Sequence, residues 1–367
     1  MLSAAPSGIF GQALHKVKAP LGLDGEKAMI RTIGHTRAVN ALRRGLESDR
    51  VSHAYLFAGP AHVGKMTLAI DLARMVNCIG DDRPCGECRQ CVRISQGLHT
   101  DVRVLGLASG DAEKEGAPSR TAISIDEIRT LGKEANLKPF EGRSRVFIIE
   151  DAERMSEAAA NALLKTLEEP PEQVLLVLLT SKASLLPPTV VSRCQQLELR
   201  PLPALQVAEH IRSINGLDAA QVEEIARVSA GRLGWALRAV EQPETLDSRY
   251  SRLQEIWEVL SATLERRFSY AADLAGQFAN DRDSVVEELG LWLSWFRDVM
   301  LLSHEAGELV VNLSAIEPLR AAAGSLSGSE IAGAVRAIDK TLELLKRNVS
   351  PRLALEQLML RLPRPGP

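Results

Sequence analysis

Residues 59–67 read GPAHVGKMT, and this stretch decides what kind of domain the chain builds. Gly59, four further residues, Gly64 and Lys65 reproduce the spacing of a phosphate-binding loop, whose backbone amides and ammonium group cradle nucleotide phosphates. Met66 breaks the pattern. A Ser or Thr normally follows the Lys, and its hydroxyl ligates the Mg²⁺ that neutralises charge during phosphoryl transfer. A thioether is a poor ligand for so hard a cation. Thr67 carries a hydroxyl one position late, and on a helix one position is a rotation of about 100°. The stretch therefore predicts a nucleotide-binding fold with weak or absent hydrolytic chemistry of its own. In it Gly59, Gly64, Lys65 and Thr67 form a degenerate nucleotide site.

Working outward, residues 54–58 are a short apolar run, read as a buried strand that leads into the loop. Residues 67–76 continue as a helix whose positive N-terminal end faces the phosphates. Residues 33–47 carry Val39, Leu42 and Leu46 at helical spacing. Further along, 145–149 and 174–179 are dense apolar strands, and 101–105 and 195–199 are shorter ones. Residues 125–137 read as a helix, and Ser156 caps another that holds Leu163, Leu164 and Leu167 on one face before Pro170 and Pro171 stop it. Such alternation predicts a parallel α/β sheet with helices on both faces. Residues 108–120 read as a polar loop.

After Pro201 the strands disappear. Residues 202–243 hold short helices punctuated by Gly216, Gly231 and Gly234. Long amphipathic segments follow at 250–264, 284–303 and 331–347, with no internal repeat. Trp257, Trp292, Trp295 and Phe296 are read as packing residues of a helical bundle rather than as a cofactor box.

At 367 residues the chain is long enough for two or three domains, and its 45% apolar and 25% charged content is that of an ordinary globular protein. A net charge of −3 says little about partners; a protein that grips nucleic acid alone is usually basic overall, so any DNA contact must come from a local patch or from neighbours in a complex. No apolar run reaches membrane-spanning length, and the first residues lack the pattern of a secretory signal. The expectation is a cytoplasmic protein. Residues 1–28 are expected to be a poorly ordered extension, with Met1 and Met29 both open as translation starts.

Four of the five cysteines, Cys78, Cys85, Cys88 and Cys91, give the spacing C-x6-C-x2-C-x2-C, with Gly86 permitting a tight turn between ligands. Four thiolates suit closed tetrahedral coordination of a structural Zn²⁺. Two disulfides are the alternative, disfavoured in an intracellular chain. Cys194 stands apart and is read as a small buried residue. Residues 145–151 read RVFIIED, so Glu150 and Asp151 stand at the end of a buried strand, where a phosphate loop's metal-holding and water-orienting acids belong. Their order is reversed. Swapping them displaces each carboxylate by about 1.5 Å, and misplacement on that scale slows chemistry by roughly 100-fold. The alternative is a pair of solvated acids at a strand end.

NALLKTLEEPP at 161–171 and VVSRC at 190–194, with the cysteine cluster and GPAHVGKMT, resemble the clamp-loader branch of AAA+ ATPases. The matching motifs run over 33–194, and NVSPRLALEQLMLRL at 348–362 is similar to the family's last helix. The resemblance implies a RecA-like AAA+ module at 29–200 with an inserted zinc knuckle at 78–91, a helical lid at 201–243, and a helical collar at 244–367. It implies that Arg193, in Ser-Arg-Cys, is an arginine finger acting in trans on ATP held by the adjacent subunit; a surface Arg in an ordinary ion pair is the alternative. Thr180 matches the position that reads the γ-phosphate, with a strand-capping hydroxyl as the alternative. Gly234 aligns where the lid normally offers an Arg, and Arg232 and Arg238 are the nearby candidates to compensate. Implied partners are gamma/tau and delta subunits in a hetero-pentamer, with the sliding clamp and primed DNA reached through the complex. The chain's own site is expected to bind ATP weakly or not at all. Two rival readings stay open: an ATP-hydrolysing gamma/tau subunit of the same complex, and an unrelated zinc-containing scaffold.

Overall fold

The computed structural model describes residues 30–107, 122–214, 216–346 and 349–365. The expected N-terminal extension, the alternative start at Met29 and the polar loop at 108–120 lie outside them. The chain divides into two compact units, Met1–Leu237 and Arg238–Pro367.

The first unit is built on five parallel strands. They are β1 (Ala54–Ala58), β2 (Val102–Leu105), β3 (Arg145–Ile149), β4 (Val174–Thr180) and β5 (Gln195–Glu198), side by side in the order β2-β3-β4-β1-β5. Parallel neighbours need long crossovers, and helices supply them. Helix α1 (Thr36–Glu47) precedes the first strand, and the crossovers carry α2 (Lys65–Asn77), α3 (Arg89–Ser95), α4 (Ile125–Ala135), α5 (Glu157–Glu168) and the short α6 (Pro188–Val191).

Central β4 is buried at every position, which explains why its sequence is apolar without alternation. Its Leu175, Val177 and Leu179 pack with Tyr55, Phe57, Val146 and Ile148 against Leu68, Leu72 and Met75 of α2. The opposite face, with Val174, Leu176 and Leu178, packs against Ile128 and Leu131 of α4 and Leu163 and Leu167 of α5. The sheet is thus covered on both sides, as expected.

Local signals fix where the helices begin. Ser156 accepts the N–H of Ala159 at 3.2 Å, and Ser124 forms a reciprocal capping box with Glu127. Helices α7 (Ala204–Arg212), α8 (Ala219–Val228) and α9 (Leu233–Glu241) follow the sheet. Gly231 lies at φ 78°, and a Cβ there would stand 2.2 Å from the carbonyl oxygen of Leu202, so no other residue fits the turn into α9.

The second unit is helical throughout its described length: α10 (Glu244–Ser261), α11 (Leu264–Asn280), α12 (Arg282–Ser303), α13 (Ile316–Ser325), α14 (Gly328–Lys346) and α15 (Pro351–Arg361). Trp292, Trp295 and Phe296 are fully buried at its centre, and Trp295 meets Phe296 edge to face at 5.1 Å. Buried Arg267 of α11 donates to carbonyls at the ends of α10 (Val259, Leu260) and α15 (Met359, Leu362, Pro363), satisfying groups that each helix leaves unpaired. The long segments expected at 250–264, 284–303 and 331–347 are present with shifted ends. Helices α3, α6, α11 and α13 were not anticipated.

Candidate functional site

The loop at 59–64 leaves the carboxyl end of β1, where parallel sheets place their ligands. A Cβ on Gly59 would lie 2.2 Å from the Leu199 carbonyl oxygen, and Gly64 lies at φ 108°, so both glycines are required by the backbone. Lys65 turns back on its own loop. Its Nζ donates to the carbonyls of Gly59 at 2.7 Å and Pro60 at 2.9 Å. Burial lowers its pKa, and the carboxylates of Glu153, Asp151 and Glu150 oppose that shift. Met66 packs its side chain against the apolar cluster beneath the loop.

Helix α9 covers the loop from the other side. The N–H of Gly234 donates to the His62 carbonyl at 2.9 Å, and a Cβ on Gly234 would come within 2.9 Å of that oxygen. Arg232 is engaged locally, its Nε donating to Ser229 at 2.9 Å.

The expected acids sit together at the end of β3. Glu150 is partly buried, and burial first, then the neighbouring Asp151, raises its pKa against the pull of Lys65. Asp151 is exposed in the left-handed region at φ 47°. Thr180 ends β4 beside Ala58. Its buried hydroxyl donates to the Lys182 carbonyl at 3.1 Å and accepts the Lys182 N–H at 3.2 Å, a closed local turn that caps the strand. Gly59, Gly64, Lys65, Glu150, Asp151 and Thr180 therefore gather at one end of the sheet, with Thr67 in the first turn of α2.

Arg193 follows α6, whose Val190 is fully buried. Its Nη1 donates to the Thr189 carbonyl at 2.9 Å, and its Nη2 pairs with Glu168 at 2.7 Å. That side chain is 36% exposed.

Cys78, Cys85, Cys88 and Cys91 come together with their sulfurs all within 4.8 Å of one another, and all are free thiols. The Cys78 and Cys88 sulfurs are 3.9 Å apart. Tetrahedral zinc with Zn–S near 2.3 Å sets sulfurs about 3.8 Å apart, so the spacing fits. Backbone N–H groups of Gly80 and Cys85 donate to Cys78, that of Cys88 to Cys85, and that of Cys91 to Cys88, at 3.3 to 3.4 Å. Burial pushes Cys91 up to about 12. For Cys88, burial is outweighed by the N–H groups of Cys91 and Ile79, and the thiol falls to about 6. Four sulfurs with no open position suit a structural soft cation such as zinc, and the cluster can hold one. Cys194 lies apart, half-buried against the core, with its thiol pushed up to about 11 by burial.

A family model described as DNA polymerase III, delta subunit, matches residues 34–203. Over 330 residues the chain is 27% identical to DNA polymerase III subunit delta' of Bacillus subtilis, covering 89% of this chain and 95% of that protein. The chain is thus similar to subunits of DNA polymerase III. It is also 37% identical over 190 residues to subunit tau/gamma of Haemophilus influenzae, covering 51% of this chain. It spans only 26% of that longer relative. Among solved structures, a DNA polymerase III gamma subunit-related protein of Thermotoga maritima covers 87% of this chain and 97% of its own at 18% identity, with a TM-score of 0.43.

Three residues near these sites were not singled out from the sequence. Glu153 accepts the N–H of Ser181 at 2.9 Å and its hydroxyl at 2.5 Å, joining the acids to the end of β4. Asp101 accepts the N–H groups of Phe140, Glu141 and Gly142, and Glu168 pairs with Arg193. Glu168 lies inside the quoted LEEPP motif, so the sequence flagged its place without its role. No helix among the described residues is long and apolar enough to cross a membrane.

Proposed function

We propose that the chain is a delta-prime-type subunit of a bacterial clamp loader that completes a neighbour's ATPase site without firing its own. The observation that carries this reading is Met66. Its thioether is packed into the core cluster where a metal-ligating hydroxyl is needed, and the adjacent Lys65 ammonium is engaged by the loop's own carbonyls. Gly234, held against His62, offers no side chain to a nucleotide. Together these features support weak or absent ATP binding at Gly59, Gly64, Lys65, Thr67, Glu150, Asp151 and Thr180.

Arg193 is the functional cation in this reading. A guanidinium presents planar donors to phosphate oxygens, and a finger supplied in trans is worth about 10³ to 10⁵ in rate. The module at 29–200 and the lid at 201–243 carry it, and the helical region at 244–367 joins the collar of a hetero-pentamer with gamma/tau and delta subunits. Sliding clamp and primed DNA are reached through that complex, in the cytoplasm. Zinc in the cysteine cluster stiffens the module.

The test is ATP turnover by the reconstituted loader carrying Arg193→Ala in this subunit alone. The expected result is a clear loss of DNA- and clamp-stimulated turnover; unchanged turnover contradicts the finger. A second reading, the hydrolysing gamma/tau subunit, draws on the 37% identity to the tau/gamma relative. Met66 and the reversed acids weigh against it.

A further inference from the structure

Arg193 and Glu168 are brought together by buried anchors. Glu168 is the last residue of α5, directly after Leu167, which is 2% exposed. Arg193 follows Val190 of α6, and its N–H donates to the Val190 carbonyl at 3.1 Å. Leu163, Leu167 and Val190 share one apolar cluster, so both backbones are fixed before the side chains meet. The partial negative charge at the C-terminal end of α5 adds to the carboxylate's pull on the guanidinium.

Both terminal nitrogens of Arg193 are thus engaged within its own chain: Nη1 by the Thr189 carbonyl, Nη2 by Glu168 Oε1. A phosphate group gripped by the same guanidinium would lie beside that carboxylate, and the two negative groups repel each other. The Thr189 carbonyl is neutral and imposes no such conflict.

We propose that Glu168 is a latch on Arg193, competing with a neighbouring subunit's nucleotide for the guanidinium and releasing it only to the more highly charged polyphosphate. The proposal rests on the reading of Arg193 as a trans-acting finger. In the free subunit the carboxylate neutralises the finger and holds it against α5. On assembly the phosphate displaces Glu168 while the Thr189 carbonyl keeps the guanidinium oriented. Glu168 is therefore a positioning residue whose removal favours the productive contact.

The pair is half-exposed, and pairs of this kind shift an equilibrium by roughly 1.5- to 5-fold. The experiment measures kcat/KM for ATP in the full loader, reconstituted with its gamma/tau and delta subunits, comparing wild type, Glu168→Gln, Arg193→Ala and the double variant. The latch predicts a rise of roughly 1.5- to 5-fold for Glu168→Gln at low salt. That advantage shrinks as salt screens the pair in the wild type, and it vanishes in the Arg193→Ala background. A structural defect at Glu168 moves neither the salt dependence nor its dependence on Arg193. If Arg193→Ala lowers turnover while Glu168→Gln leaves it level or lowers it, the latch is wrong and the finger stands. If Arg193→Ala changes nothing, the finger reading fails and the latch with it.

Discussion

The carboxylate of Asp101, 1% exposed, accepts the N–H groups of Phe140, Glu141 and Gly142 at 2.8 Å each and pairs with Arg145. It pins the turn that enters β3 and so sets where Glu150 and Asp151 emerge. Burial alone would raise its pKa; the three donated N–H groups and Arg145 outweigh that and hold it below the ordinary carboxylate range. A depressed folded pKa contributes stability that is present above the unfolded value, near 3.9, and is lost as pH falls through the folded one. Asp101→Asn places an NH₂ against a backbone N–H and is expected to cost about 2 kcal/mol at neutral pH. Thermal melts of wild type and variant should differ at pH 7 and converge as the pH falls through the depressed folded pKa, below the ordinary carboxylate range; a gap that persists or widens there contradicts the assignment. At this scale, legibility followed sequence distance. Met66, Lys65 and Arg193 stood out in the sequence because each lies inside a short motif formed by its neighbours in the chain. Asp101, Glu153 and Glu168 act on groups 28 to 44 residues away or on a side chain 25 positions on, and only folding brings these together.

Among the elements, the strands were the most legible. β3 and β4 are buried on both faces, so their apolar runs have a single explanation. The helices of the second unit were harder. α13 buries only Leu319 and Ala322, and α11 leans on Ala271 and Arg267 as well as on larger apolar side chains, so neither gives a strong periodic signal. α3 was hidden because its seven residues carry Cys91 and read as part of the cysteine spacing. That helix makes the knuckle testable as a unit: Cys88 caps its start by accepting the Cys91 N–H, and Cys78 ends α2. One metal ion per chain is expected by elemental analysis. Metal removal or the double change Cys88→Ser, Cys91→Ser should release it and lower the melting temperature, because binding free energy at such a site is folding free energy. A metal-free preparation with unchanged melting would contradict a structural metal.

For the molecule as a whole, the sequence reading foresaw a sheet-containing part followed by a helical part, and the two compact units meet at residues 237 and 238. The resemblance spans 89% of this chain for the delta' relative and 51% for the tau/gamma relative of Haemophilus influenzae. Partners and a trans contact were expected from the resemblance alone, because the residue pattern of one chain does not record what a neighbour would supply. The central claim is that this subunit serves an adjacent site while its own cannot turn over. Its most direct test is ATP turnover by the full loader in which the phosphate-loop lysines of every other subunit are changed to Ala and this chain is left intact. The account predicts turnover no higher than background. Residual turnover that disappears on adding Lys65→Ala would contradict it.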